Sequence, residues 1–169
     1  MRYHNITCDD MLNGDGLRTV LWLAGCEHHC KDCQNPVTWD PDGGLPFDEK
    51  AKQELFDNMS LDYISGVTFS GGDPFDQPEP FAYLAKALKK NKINIWSYTG
   101  YTFEQLKELS KTNVHIKELL ENIDVLVDGP FIKDLMDENI EYRGSKNQRI
   151  IKVPDSLKEN KVIINKNFK

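Results

Sequence analysis

The sequence predicts an α/β protein of one domain, residues 1–169, built as an incomplete (β/α) barrel of about five to six mostly parallel strands. Three observations carry this expectation. Short apolar runs of strand length alternate along the chain with stretches of helical spacing. The runs are apolar throughout, as strands are when a parallel sheet is covered on both faces. The third is length: 169 residues suit one domain with a real core, whereas a complete eightfold barrel takes about 250, so the sheet is expected to be open or partly closed.

The first strand is placed at Arg18 to Gly25 (RTVLWLAG), an unbroken apolar run ending in glycine. A helix follows over Glu49 to Met59, then a strand at Gly66 to Ser70 (GVTFS). Pro80 to Lys90 sets Phe81, Leu84, Ala85 and Leu88 on one stripe, the mark of an amphipathic helix. Next come a strand at Ile93 to Tyr98, helical spacing over Phe103 to Leu109 and again over Ile116 to Leu120, and strands at Ile123 to Val127 and Arg149 to Val153. The tail from Lys152 to Lys169 alternates lysines with Val162, Ile163 and Ile164 and reads as a terminal strand with solvated flanks.

Composition removes several function classes. Lys plus Arg number 21 against 27 Asp plus Glu, a formal charge of -6, so the chain has no general attraction for phosphate backbones and nucleic acid is not an expected partner. No apolar run approaches the roughly 18 residues of a membrane span. The opening MRYHNITCDD lacks the apolar core of a secretory signal, which predicts a cytoplasmic protein with reduced thiols. No internal repeat or low-complexity segment is present.

In open sheets and barrels alike, chemistry collects at the carboxyl ends of the strands. The unusual residues fall there: a cysteine loop after the first strand, SGGDP after the second, YTGY after the third and DGPF after the fourth. CEHHCKDC packs Cys26, Cys30 and Cys33 into one loop, and three readings compete for them. A disulfide is the weakest in a reducing compartment. Structural zinc usually draws on two separated knuckles; no second one exists here, although His28 or His29 could supply a fourth ligand. An iron–sulfur cluster uses tight cysteine runs, in ferredoxins with a fourth cysteine close by. Only Cys8 is left, beside Asp9 and Asp10. With Cys8 as ligand the product is a saturated electron carrier; without it one iron stays open to a small molecule. Cys8 reads better as an incidental thiol.

The spacing Cys-x3-Cys-x2-Cys resembles the signature of the radical S-adenosylmethionine enzymes. The stretch NGDGLRTVLWLAGCEHHCKDCQNPVTWD is similar to the first strand and cluster loop of the glycyl-radical-enzyme activases. TFSGGDP, SYTGY, DVLVDGPF and RGSKNQR then follow in the order found in the branch that activates anaerobic ribonucleoside-triphosphate reductase. The likeness runs from Asn13 to Ile151. It implies that Cys26, Cys30 and Cys33 hold a 4Fe–4S cluster whose fourth iron is chelated by the methionine end of S-adenosylmethionine. A reduced flavodoxin or ferredoxin-like donor would supply an electron. The cofactor would be split into methionine and a 5′-deoxyadenosyl radical, which takes a hydrogen from one glycine of the partner reductase. No catalytic residue beyond the cluster is implied, and a homodimer is compatible with this reading. Two rivals stand beside it: an activase of another glycyl-radical enzyme such as pyruvate formate-lyase, and a non-enzymatic iron–sulfur carrier ligated by Cys8.

Within this resemblance each motif has a role to fill and a plainer alternative. Gly71 and Gly72, with Ser70 before them, would let backbone acceptors approach the cofactor's ammonium, and Asp73 would add a charge; otherwise Asp73 caps a turn with Pro74 in the first helical position. Asp128 is a candidate for the ribose hydroxyls or a turn aspartate. Tyr98 to Tyr101 offers adenine contacts or core packing, with Gly100 marking a close approach to the backbone. Asn35 is a candidate for hydrogen bonding to the cluster sulfurs. Many superfamily members carry an aromatic residue just before the last cysteine, over the adenine; here Asp32 stands there, leaving Trp39 or Tyr98 for that task. His28 and His29 read as exposed loop residues. Arg143 to Arg149 is either a polar loop or a contact to the partner or the cofactor's carboxylate, which an arginine fork suits.

Overall fold

Val20, Leu21, Val67, Phe69, Ile95 and Leu126 are completely buried, and the runs that contain them pair side by side. The computed structural model describes all 169 residues. Strands β2 (Arg18–Leu23), β4 (Gly66–Gly71), β5 (Ile95–Tyr98) and β6 (Val125–Asp128) form the parallel centre of one sheet. β1 (Arg2–Asp10) lies antiparallel to β2, the two-residue β3 (Leu45–Pro46) antiparallel to β1, and β7 (Arg149–Lys152) antiparallel to β6.

The order is therefore β3-β1-β2-β4-β5-β6-β7, seven strands with two free edges. This corrects the expected barrel: the sheet is open, and its parallel pairings are matched in number by antiparallel ones. Two physical causes account for the difference. β1 has one fully buried residue, Ile6, in an otherwise polar RYHNITCDD, so it lacks a continuous apolar run. β7 runs backward because only a short 3-10 turn, Lys133–Leu135, and no α-helix lies between β6 and β7, and a parallel return usually takes a crossover helix.

Of the helices α1 (Glu49–Met59), α2 (Pro78–Lys90), α3 (Phe103–Leu109) and α4 (Val114–Glu121), α2 starts on a proline, and the other three start where side chains satisfy their first amides. Asp48 accepts from Ala51 N, Thr102 and Gln105 form a reciprocal box, and Asn113 accepts from His115 N and Ile116 N. The strands β2, β4, β5 and β6 follow one another in space as in sequence, and right-handed crossovers then put these helices on one face. There Leu21, Leu23, Phe69, Ile95 and Leu126 pack with Phe81, Leu88, Leu106 and Leu119 in a core of 22 buried residues. A further helix, α5 (Val153–Glu159), was not expected. The tail behind it forms only one bridge, Ile164 to Ile151, in place of a full strand.

Alternate residues point to the opposite face, where Trp96, Val125, Val127 and Ile150 form a second cluster joined by Tyr98, Tyr142 and Phe168. Arg18, at the amino end of β2, is buried beside it. Its Nε donates to Thr68 Oγ1 at 2.8 Å and its Nη2 to Val67 O at 2.8 Å and Asn94 Oδ1 at 3.0 Å, and the guanidinium sits 5.5 Å over the Trp96 ring. Burial lowers its pKa to about 10, which leaves it charged at neutral pH. This end of the face is thus filled, and open space is left at the carboxyl ends. No helix is long and apolar enough to cross a membrane.

Candidate functional site

A cavity of about 520 Å³ opens at those carboxyl ends, lined by residues of every loop that follows a parallel strand. Cys26, Cys30 and Cys33 line it and are half-buried. The ends of their loop are anchored by Gly25 N to Thr38 O at 2.7 Å and Cys26 N to Trp39 O at 3.2 Å. Between these anchors the chain turns tightly, with His29 and Asp32 in left-handed backbone conformation and a bond from Cys33 N to Cys30 O. Gly25 has φ +102, and a Cβ there would lie 2.4 Å from Gln77 Nε2, the amide that donates to Ala24 O at 2.9 Å. Only glycine fits this entry to the loop.

Burial, helped by the charges of Asp73 and Asp76, pushes the Cys26 thiol up to about 12. Metal binding must displace that proton. Asn35 N donates to Cys33 Sγ at 3.3 Å, so the expected contact from Asn35 to sulfur exists, made by its backbone. Cys8 is exposed on β1 and does not line the cavity. The donor set is then three thiols from one loop with no fourth cysteine. That set suits a 4Fe–4S cluster with one iron free of protein ligands, and it lacks the closed ligand shell of structural zinc.

The second wall of the cavity is Ser70, Gly71, Gly72 and Asp73. A Cβ on Gly72 would lie 2.4 Å from Gly25 O, so the glycine is required where this wall meets the cysteine loop. The Gly72 carbonyl accepts no hydrogen bond from the chain. Asp73, 2% exposed, has the opposite character. Its Oδ1 accepts from Phe75 N at 2.9 Å, and its Oδ2 accepts from Thr99 Oγ1 at 2.8 Å and Gly100 N at 2.9 Å and meets His28 Nε2 at 2.7 Å. Oδ2 is thus fully engaged, with three partners, while Oδ1 has one and keeps a lone-pair site. Asp73 is a turn cap and a junction between loops, and it lines the cavity as well.

His28 was expected to be exposed and is not. Its side chain is 18% exposed, packs edge-on against Tyr101 at 4.5 Å and covers Gly100, where a Cβ would meet its ring at 2.6 Å. The close approach that Gly100 signals is therefore made by His28. The bond to Asp73 holds the imidazole pKa above its ordinary value. His29 remains exposed and packs on Trp39 at 4.7 Å.

Tyr98 lines the cavity, with its hydroxyl donating to Tyr142 O at 2.6 Å. Trp39 is not among the lining residues; its ring lies against His29, at 4.7 Å. Asp128 lies inside the framework. It is 1% exposed and accepts from Phe103 N at 2.8 Å and Arg149 Nε at 3.0 Å, and it does not line the cavity. Asp32 is exposed and pairs with Lys133 at 3.4 Å.

The segment Arg143 to Arg149 divides by function. Arg149 belongs to the framework, and Gln148 and Asn147 fasten the loop to Gly129 O at 3.0 Å and Pro130 O at 2.8 Å. Arg143 lines the cavity and pairs with no carboxylate. Residues missed in the sequence are Trp22, Phe131, Ile140 and Tyr142, which also line it. Trp22 reads in sequence only as a strand residue, and the others lie in a connection with no periodic pattern.

Residues 12–151 match the family model described as a 4Fe-4S single cluster domain, so the fold and its three-thiol loop define an iron–sulfur protein. The chain is 37% identical over 154 residues to the anaerobic ribonucleoside-triphosphate reductase-activating protein of Enterobacteria phage T4, covering 89% of this chain and 93% of that protein. It is 36% identical over 157 residues to the protein of that name from Pasteurella multocida (strain Pm70), 89% and 96% covered. With the Escherichia coli (strain K12) protein it shares 34% over 155 residues, 88% and 96% covered. The chain belongs to the family of anaerobic ribonucleoside-triphosphate reductase-activating proteins.

Proposed function

We propose that this protein is a radical S-adenosylmethionine enzyme that generates the glycyl radical of anaerobic ribonucleoside-triphosphate reductase. The observation that carries the reading is the cavity itself: three thiols from one loop face a glycine edge with a free Gly72 carbonyl across a space of about 520 Å³. When bound, the cluster supplies the electron that cleaves the cofactor's sulfonium and yields a 5′-deoxyadenosyl radical able to take a hydrogen from glycine.

The chain's own residues bind, orient and shield. Cys26, Cys30 and Cys33 hold the metal and leave one site for the amino acid end of the cofactor. The Gly72 carbonyl accepts from the cofactor's ammonium. Arg143, free of internal carboxylates, offers its fork to the carboxylate. Tyr98 presents its ring to the nucleoside, and Phe131 and Ile140 keep that side of the space apolar, which limits water near a reactive radical. The backbone amide of Asn35 donates to Cys33 Sγ and helps orient it. The open edge of the cavity admits a loop of the partner, and a reduced flavodoxin or ferredoxin-like protein is the donor that suits the cluster.

The test is to mix the reconstituted protein, S-adenosylmethionine and a reductant with the anaerobic reductase and record electron paramagnetic resonance. A glycyl radical on the reductase, absent without the cofactor, is the expected result. A radical formed on pyruvate formate-lyase in place of the reductase would move the protein to another branch of activases.

A further inference from the structure

We infer that His28 is a positioning residue: by holding Asp73 it fixes the cysteine loop against the Gly71-Gly72 edge, so that a ligand spanning the two is gripped at both ends. The inference rests on the reading of the cavity as a cluster and S-adenosylmethionine site, and it gives His28, which lines that cavity, a role exerted through Asp73 and not as a ligand of the metal.

The geometry is specific. Two carboxylates of the loop after β4 each join the same two neighbouring loops. Asp73 Oδ2 meets His28 Nε2 of the cysteine loop at 2.7 Å and takes Thr99 Oγ1 and Gly100 N of the loop after β5 at 2.8 and 2.9 Å. Asp76 takes Glu27 N at 2.8 Å through Oδ2 and Tyr101 Oη at 2.8 Å through Oδ1. The Glu27 amide and the His28 ring thus sit in a slot walled by Asp73, Asp76, Gly100 and Tyr101. Elsewhere between Cys26 and Cys33 the side chains that reach outward are exposed: His29 on Trp39 and Asp32 on Lys133. His28 is the one side chain of this stretch that is inserted among the other loops.

The sequence has also made room for it. Gly100 carries no φ that demands glycine, yet an added Cβ would stand 2.6 Å from His28 Cγ and Cδ2. The glycine is needed for the imidazole. Asp73, for its part, is anchored at Phe75 N in its own turn, so the position of the imidazole is referred directly to the residue that follows Gly72. His28 and Asp73 are not among the 22 core residues on the helix face, which they meet only through Phe75 and Tyr101, so losing the imidazole should shift the loop while the fold persists.

The experiment is a cycle of His28→Ala, Gly100→Ala and the double variant, with His28→Gln as the conservative replacement whose amide can still donate to Asp73. Three quantities are read in each: iron per chain after reconstitution, the S-adenosylmethionine concentration giving half of the change in the cluster's paramagnetic resonance signal, and the rate of thiol alkylation in the metal-free protein. His28→Ala is expected to retain iron but to need about tenfold more cofactor or higher, the scale of losses at residues that orient metal ligands, and its thiols should alkylate faster. His28→Gln should recover most of both. Gly100→Ala should weaken cofactor binding in the parent chain and add nothing once His28 is gone.

A His28→Ala protein that titrates like the parent would overturn the inference, as would a Gly100→Ala effect that persists undiminished without His28, since that marks direct obstruction of the cavity. If the parent protein itself shows no response to the cofactor, the functional reading fails. The alkylation rates of the metal-free chains then decide the inference alone: equal rates with and without His28 contradict it.

Discussion

Arg149 grips Asp128 through Nε at 3.0 Å and again through Nη2, while Phe103 N at the start of α3 donates to the same carboxylate at 2.8 Å. The contact ties the ends of β6 and α3 to the start of β7. Asp128 is 1% exposed, so a buried charge depends on one partner. Arg149→Ala is expected to lower stability by about 3 kcal/mol or more, because it leaves that charge unpaired; chemical denaturation of the metal-free protein reads the loss. Arg149→Lys should recover part of it, lacking the fork. An unchanged denaturation midpoint would return Asp128 to the candidates for cofactor binding.

The other side of Arg149 reaches Glu104 at 2.7 and 3.1 Å, which holds that carboxyl below its usual range. A depressed folded pKa means a contribution to stability present above the unfolded value of about 4.3 and lost as pH falls through the folded value. Glu104 is 62% exposed, so screening keeps the effect small. The stability difference between the parent and Glu104→Gln should be present at neutral pH, vanish in acid below the folded value, and shrink in high salt.

The four cysteines should separate cleanly. Serine in place of Cys26, Cys30 or Cys33 is expected to abolish stoichiometric iron, and Cys8→Ser to leave iron content and the cluster spectrum unchanged, because Cys8 is exposed on β1 away from the cavity. Chelating the metal should leave the far-ultraviolet circular dichroism intact, since the core lies on the helix face of the sheet. Loss of the cluster in Cys8→Ser would revive the electron carrier.

Tyr98 and Arg143 line the cavity, and Trp39 does not. Equilibrium binding of S-adenosylmethionine to the reconstituted protein should weaken in Tyr98→Ala and in Arg143→Ala, by about tenfold for loss of a charge-assisted pair. Trp39→Phe should bind as the parent does. Equal losses at Trp39 and Tyr98 would place the nucleoside against Trp39 as well.

The parallel centre of the sheet was legible in the sequence because both of its faces are covered, and burial on two sides writes an unbroken apolar run such as Thr19 to Ala24. β1 was not, since a strand beside the solvent carries that signal at Ile6 alone. The cysteines and the glycine pair were legible for another reason: close spacing and missing side chains are visible without knowing the fold. Asp73 and Asp128 show the limit. Both end strands in polar motifs, and a carboxylate committed to Arg149 or His28 looks in sequence like one left for a ligand. What separates them is the partner, which lies 21 residues from Asp128 and 45 from Asp73. The cavity wall from Phe131 to Tyr142 was hidden in a connection with no period to read.

The central claim is a cluster with one iron open to S-adenosylmethionine. Electron paramagnetic resonance on anaerobically reconstituted, reduced protein, recorded with and without that cofactor, tests it most directly. A 4Fe–4S signal that changes shape when the cofactor is added is the predicted result. A signal indifferent to the cofactor, or a protein that takes up no iron, would contradict it.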